Sequence, residues 1–135
     1  MTKSEIKYPI LLIRENDSNL YGMDKGLGLI SKGGDSFYKK PIKIIDRDGF
    51  VFNLKSISSK RKAGFMDSLR YFQPMQQLTF ELEQSSRLNL SELKSDILKH
   101  VKMKPKKWLS LGTIEMIEEW IFEKKSIADL IKMFK

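Results

Sequence analysis

Hydrophobic positions change their spacing along this chain. Continuous runs and alternation with a period of two occupy the first two-thirds, and a period near 3.6 takes over in the last third. Tyr8-Pro9-Ile10-Leu11-Leu12-Ile13 is an unbroken apolar run closed by Arg14-Glu15-Asn16-Asp17-Ser18-Asn19. That form predicts a strand buried on both faces, with Pro9 tolerated near its start. From Leu20 to Asp35 the chain holds five of its eight glycines, which predicts a turn-rich stretch with a short strand at Leu27–Ser31. Ile42-Lys43-Ile44-Ile45 and Phe50-Val51-Phe52-Asn53-Leu54 are joined by Asp46-Arg47-Asp48-Gly49. This predicts an antiparallel hairpin with Gly49 at positive φ, and with Phe50, Phe52 and Leu54 on one face and Val51 and Asn53 on the other.

Residues 55–64 read as a polar, basic linker, followed by a short helix around Phe65–Tyr71 that ends before Pro74. Leu78, Phe80 and Leu82 then alternate with Thr79, Glu81 and Glu83, the pattern of a strand with one buried and one wet face. Asn89 with Glu92 three residues later has capping-box spacing, and Leu90, Leu93, Ile97 and Val101 follow on one helical face. The basic break Lys102-Met103-Lys104-Pro105-Lys106-Lys107 stops that helix. A second helix is predicted from about Thr113 to Lys124, with Ile114, Ile117, Trp120 and Ile121 inward. A third opens at Ser126 and buries Ile127, Leu130, Ile131 and Phe134. Strands first and helices last predict an α+β fold: one domain over residues 1–135, with a small antiparallel sheet packed on one side by about three C-terminal helices.

Composition then bounds the chemistry. The chain has no cysteine, which removes disulfides, thiolate nucleophiles and cysteine-bound zinc and makes the cytoplasm the expected compartment. Its longest apolar stretch, Pro9–Ile13, is far below the roughly 18 residues of a membrane span, and Met1–Lys7 is followed by no signal-like apolar segment. No membrane association is expected. The net charge is +8, of which residues 1–64 carry +6 and residues 65–135 carry +2. A basic surface suits nucleic acid, an anionic membrane or an acidic protein, and genome composition alone also enriches lysine.

Catalysis has little to stand on. The single histidine, His100, is expected on the solvated side of the first helix with nothing to orient it. Glu115 and Glu119 share a helical face opposite Ile117 and Ile121, and solvent-facing carboxylates do little proton transfer at neutral pH. Gly26-Leu27-Gly28 starts a Gly-x-Gly pattern whose third glycine is replaced by Ser31, so a bent hairpin is expected there rather than a phosphate cradle. Asp46-x-Asp48-Gly49 resembles the opening of a calcium loop, but Phe50 and Ile57 stand where further oxygen ligands are needed, and a turn is expected. The expectation is therefore no catalytic residue, no metal and no cofactor.

Two binding classes remain. Lys60-Arg61-Lys62 and the lysines of Lys99–Lys107 beside Trp108 could neutralise phosphates and stack on a base. Arginine is scarce, however, and bidentate base reading leans on it, so any nucleic-acid binding is expected to be weak and nonspecific. The other class is protein recognition. Tyr21, Met23, Phe37 and Tyr38 give the glycine-rich stretch a high density of anchor-type side chains, as do Met66, Tyr71, Phe72 and Met75 further on. Tyr21, Met23, Phe37 and Tyr38 are the expected partner contacts, with Lys60, Arg61 and Lys62 supplying steering charge.

The succession Pro9–Ile13, Leu20-Tyr21-Gly22-Met23-Asp24 and Ile44-Ile45-Asp46-Arg47-Asp48-Gly49-Phe50, closed by a helical end, resembles small bacterial immunity proteins. These are encoded beside polymorphic or contact-dependent growth inhibition toxins. The resemblance covers about residues 8–55 and lies in the pattern rather than in a motif. It implies a cytoplasmic, non-enzymatic inhibitor that binds one cognate toxin domain. Immunity to a basic nuclease is usually acidic, whereas this chain is +8, so the implied toxin is acidic or not a nuclease. The alternative is a basic, nonspecific nucleic-acid-binding or regulatory protein.

Overall fold

The reversal at Asp46–Gly49 forms where its sequence places it. In the computed structural model, residues 6–15, 17, 19–25, 27–31, 34–62, 75–103, 108 and 112–134 are described, and residues 31, 34–36 and 59–62 by backbone alone. Six strands make one sheet: β1 (Ile10–Arg14), β2 (Leu20–Met23), β3 (Leu29–Ser31), β4 (Ile42–Ile45), β5 (Phe50–Lys62) and β6 (Met75–Arg87). A 3-10 helix at Gly34–Lys39 lies between β3 and β4. The helices are α1 (Leu90–Met103), α2 (Ile114–Glu123) and α3 (Ile127–Lys132). The fold is α+β, a six-stranded antiparallel sheet that curls and is followed by three C-terminal helices.

Asp46 shapes the β4–β5 turn. Its Oδ1 accepts the backbone N–H of Asp48 at 2.9 Å and of Phe50 at 3.0 Å. Gly49 takes φ +87°, and a Cβ there would stand 2.1 Å from the Leu88 carbonyl oxygen, so the position requires glycine. The register that follows pairs Ile45 with Val51 and Ile44 with Phe52.

Strand order is β2-β1-β4-β5-β6-β3, so β2 and β3, neighbours in sequence, lie at opposite edges. The six Cα steps from Met23 to Leu29 reach about 22 Å at full extension. A flat six-stranded sheet would hold its edge strands roughly 24 Å apart. The sheet therefore has to curl. Ile10, Leu12, Ile42, Ile44, Phe52, Leu78, Phe80 and Leu82 pack together inside the curl, with Leu27, Ile30 and Tyr38. Leu11, Ile45 and Val51 point to the opposite face and meet the helices. β1 is thus buried on both faces, as its unbroken apolar run predicts.

The helices pack on that one face. Leu93, Ile97 and Val101 of α1, Ile117 and Ile121 of α2, and Leu130 and Ile131 of α3 form a single core with Trp108 and Phe134. Each fully buried side chain of this kind stabilises the fold by about 1.5–3 kcal/mol. The caps of α1 and α3 fall where the sequence places them. The Asn89 side chain accepts from the Glu92 N–H at 2.8 Å while Glu92 accepts from the Asn89 N–H at 3.1 Å. Thr113 and Ser126 cap α2 and α3 through the N–H groups of Met116 and Asp129.

Three expectations are corrected. Residues 55–62 are not a linker: β5 runs through Lys62, paired with β6 from Phe50↔Arg87 to Lys62↔Gln76. Polar strand residues are held there by pairing and by cross-strand contacts such as Lys55 Nζ to Glu83 at 2.8 Å, not by burial. The glycine-rich stretch contains β2 as well as β3, and the two form no hairpin with each other, because β2 pairs with β1 and β3 with β6. His100 is half-buried rather than fully solvated. It lies three residues beyond Ile97 on the flank of the buried stripe, and its Nε2 is buried without a hydrogen-bond partner. The helix expected around Phe65–Tyr71, with Met66 and Phe72, lies outside the described residues, as do Lys104–Lys107.

Candidate partner-binding surface

The end of β1 and the start of β2 build a small polar and aromatic cluster. Asp17 closes the turn between them, its N–H donating to the Arg14 carbonyl at 3.2 Å and its Oδ1 accepting from the Asn19 N–H at 2.9 Å. Antiparallel pairing of Ile13 with Leu20 then places Tyr21 beside Asp17. The Tyr21 hydroxyl donates to Asp17 Oδ2 at 2.6 Å and accepts from Asn19 Nδ2 at 3.3 Å. Arg14 Nη1 reaches the same Asp17 oxygen at 3.5 Å, with the two side chains 21% and 14% exposed.

Phe37, from the 3-10 helix, joins the cluster. The Arg14 guanidinium lies 4.8 Å from its ring centroid, and the Tyr21 ring meets it edge-on at 5.2 Å. Contacts continue inward from Phe37 to Tyr38 at 5.0 Å and from Tyr38 to Phe80 at 4.9 Å. Each aromatic pair contributes about 0.5–1.5 kcal/mol beyond the area it buries. Burial raises the pKa of the Tyr8, Tyr21 and Tyr38 hydroxyls above the ordinary tyrosine value, and the Asp17 carboxylate raises that of Tyr21 further. These phenols stay protonated at neutral pH. Tyr21 thus donates to Asp17, while Tyr38 and Tyr8 accept the N–H groups of Gly28 and Leu27.

The structure therefore gathers three of the four expected contact residues differently from the fourth. Tyr21, Met23 and Phe37 are half-buried, and Tyr38, at 6% exposed, belongs to the inner core. Lys60, Arg61 and Lys62 lie in β5 opposite Leu78, Gln77 and Gln76, and their side chains are outside the described set. Sequence reasoning missed Arg14 and Asp17, which it read only as the polar end of a strand. The available signal was Asp17-x-Asn19, a pattern that favours a side-chain-closed turn. Lys25, Lys39, Lys40 and Lys43 are exposed on the same basic half of the chain.

The helical layer has a second surface of different character. Among the described residues the exposed large hydrophobic side chains are Met103 (72%), Met116 (45%) and Phe122 (56%), all on α1 and α2. Among the described residues no group of three or more His, Asp or Glu is placed to hold a metal ion, and no helix is long and apolar enough to cross a membrane. Comparison with known protein families, with curated proteins and with solved structures gave no match to this chain.

Proposed function

We propose that this chain is a non-enzymatic binding protein that captures a folded protein partner through the Arg14–Tyr21–Phe37 cluster. Its reading in biological terms is an immunity-type protein that neutralises a toxin domain in the cytoplasm. The observation that carries the reading is the Arg14 guanidinium held over Phe37 at 4.8 Å while Asp17 fixes Tyr21 at 2.6 Å. Arginine and tyrosine dominate the energetics of protein interfaces, and anchors already locked in place lose little side-chain entropy on binding. The buried Arg14 Nε without a hydrogen-bond partner is a local cost, of the kind functional surfaces retain.

Charge supports an acidic partner face. The half of the chain that bears the cluster carries +6 of the total +8, which steers an acidic surface toward it. Nucleic-acid binding is the weaker reading, because Arg14 already covers a face of Phe37 that a base would need for stacking. Protection is the test. Cells making the protein encoded beside this chain are scored for growth with the native chain or with a Tyr21→Ala, Phe37→Ala variant. The reading expects protection by the native chain and its loss in the variant. No protection by the native chain, and no complex on gel filtration, would overturn it.

A further inference from the structure

α1 and α2 run antiparallel across the outer layer. Lys94 Nζ near the start of α1 donates to the Phe122 carbonyl near the end of α2 at 2.8 Å, and Lys102 near the end of α1 lies 3.7 Å from Glu118. The two helices show solvent opposite charges. α1 presents a shallow groove lined by Ser95, Leu98, Lys99, Lys102 and Met103. α2 presents one lined by Glu115, Glu118, Glu119, Phe122 and Glu123. Each groove carries one strongly exposed apolar side chain, Met103 at 72% and Phe122 at 56%.

The charge on α2 works against its own helix. Glu115, Glu119 and Glu123 repeat at i, i+4, a spacing at which like charges repel. Glu123 also sits in the last turn, at the negative end of the helix dipole, and that turn has no basic residue. All three helices have an acidic residue in the first turn, but α1 and α3 carry Lys102 and Lys132 in their last turns where α2 carries Glu123. An acidic helix in a chain of net charge +8 is thus matched, one helix away, by a basic groove of similar build.

We propose that this face is the contact between two copies of the chain in solution. A two-fold axis along the α1–α2 seam lays α1 of each copy on α2 of the other. Because Lys102 lies level with Glu118 within one chain, the same rotation sets Lys102 of the second copy level with Glu118. It also brings Lys99 to the Glu119–Glu123 stretch. Both charged contacts form twice, and Met103 and Phe122 of both copies are covered, as a closed isologous interface requires. The contact is separate from the Arg14 cluster and does not depend on the function proposed for it.

The test is a charge exchange read by sedimentation velocity from about 1 μM to about 1 mM, the range of weak to moderate self-association. The native chain is expected at twice its 15.8 kDa mass. A Lys99→Glu, Lys102→Glu variant and a Glu119→Lys, Glu123→Lys variant are each expected to be monomeric, and their equimolar mixture dimeric. The first variant has a net charge of +4 against +8, so bulk repulsion alone would make it associate more strongly, not less. Circular dichroism confirms that each variant is folded. A Phe122→Gln, Met103→Gln variant, which keeps every charge, should also be monomeric. A native chain that stays monomeric throughout, as expected if the face serves a different protein, overturns the proposal. So does a charge variant that still dimerises alone, or a mixture that stays monomeric.

Discussion

Asp46 Oδ1 accepts the backbone N–H of Phe50 at 3.0 Å, and the Asp46 N–H donates to the Phe50 carbonyl at 3.0 Å. The side chain thus doubles a backbone pair, and Asp46 is the one buried charged residue among those described, at 1% exposure. Asp46→Ala leaves two N–H groups without their acceptor and is expected to cost about 2–4 kcal/mol. Asp46→Asn keeps an oxygen in place and is expected to cost less than half as much. Urea denaturation of the two variants checks the ordering.

The α1 cap gives a smaller and local effect. Asn89→Ala removes the acceptor for the Glu92 N–H and is expected to cost about 1 kcal/mol. Because the two side chains cap reciprocally, a double-mutant cycle of Asn89→Ala with Glu92→Ala should be non-additive. Strict additivity in thermal melts would show that the box does not act as a unit.

How far the fold could be read in advance follows from the range of the interactions involved. The β4–β5 turn and the caps at Asn89 and Ser126 were legible because each closes within three or four residues. The polar course of β5 from Lys55 to Lys62 was not, because nothing local favours it. It is set by β6, 14 to 25 residues further along, with register shifts near Phe52, Ser56 and Ser59 that no alternation reveals. The separation of β2 and β3 to opposite edges is likewise decided by their partners β1 and β6. At the cluster, aromatic density pointed to Tyr21 and Phe37, but Arg14 meets Phe37 only after Asp17 has folded β2 back on β1.

Alkaline pH supplies a further expectation. The folded-state hydroxyls of Tyr8, Tyr21 and Tyr38 titrate above the ordinary tyrosine value, chiefly because burial disfavours the phenolate. The unfolded chain then loses these protons first, at about pH 10. Their contribution is intact below that pH and is lost as pH rises through the raised folded-state values. Tyrosinate absorbance should therefore rise late and together with the loss of helical circular dichroism. Full ionisation at about pH 10 with the helices intact would contradict the burial.

Nucleic-acid affinity separates the two binding classes. With about six phosphate contacts, binding would fall about a thousandfold between 50 and 200 mM salt. Fluorescence anisotropy with mixed-sequence DNA and RNA at about 150 mM salt is expected to show no submicromolar binding. Submicromolar binding there, lost on replacing Lys60, Arg61 and Lys62 by alanine, would favour the nucleic-acid reading.

The central claim is that the Arg14 cluster holds a protein partner, and calorimetric titration of that partner measures it most directly. On the proposed immunity reading the protein to titrate is the product of the neighbouring gene, with the native chain and with Arg14→Gln and Tyr21→Ser variants whose melting confirms the fold. Interface anchors of these types are worth about 2–4 kcal/mol, so each variant is predicted to bind at least about 30-fold more weakly than the native chain. Native-like affinity in both folded variants, within about threefold, would contradict the account.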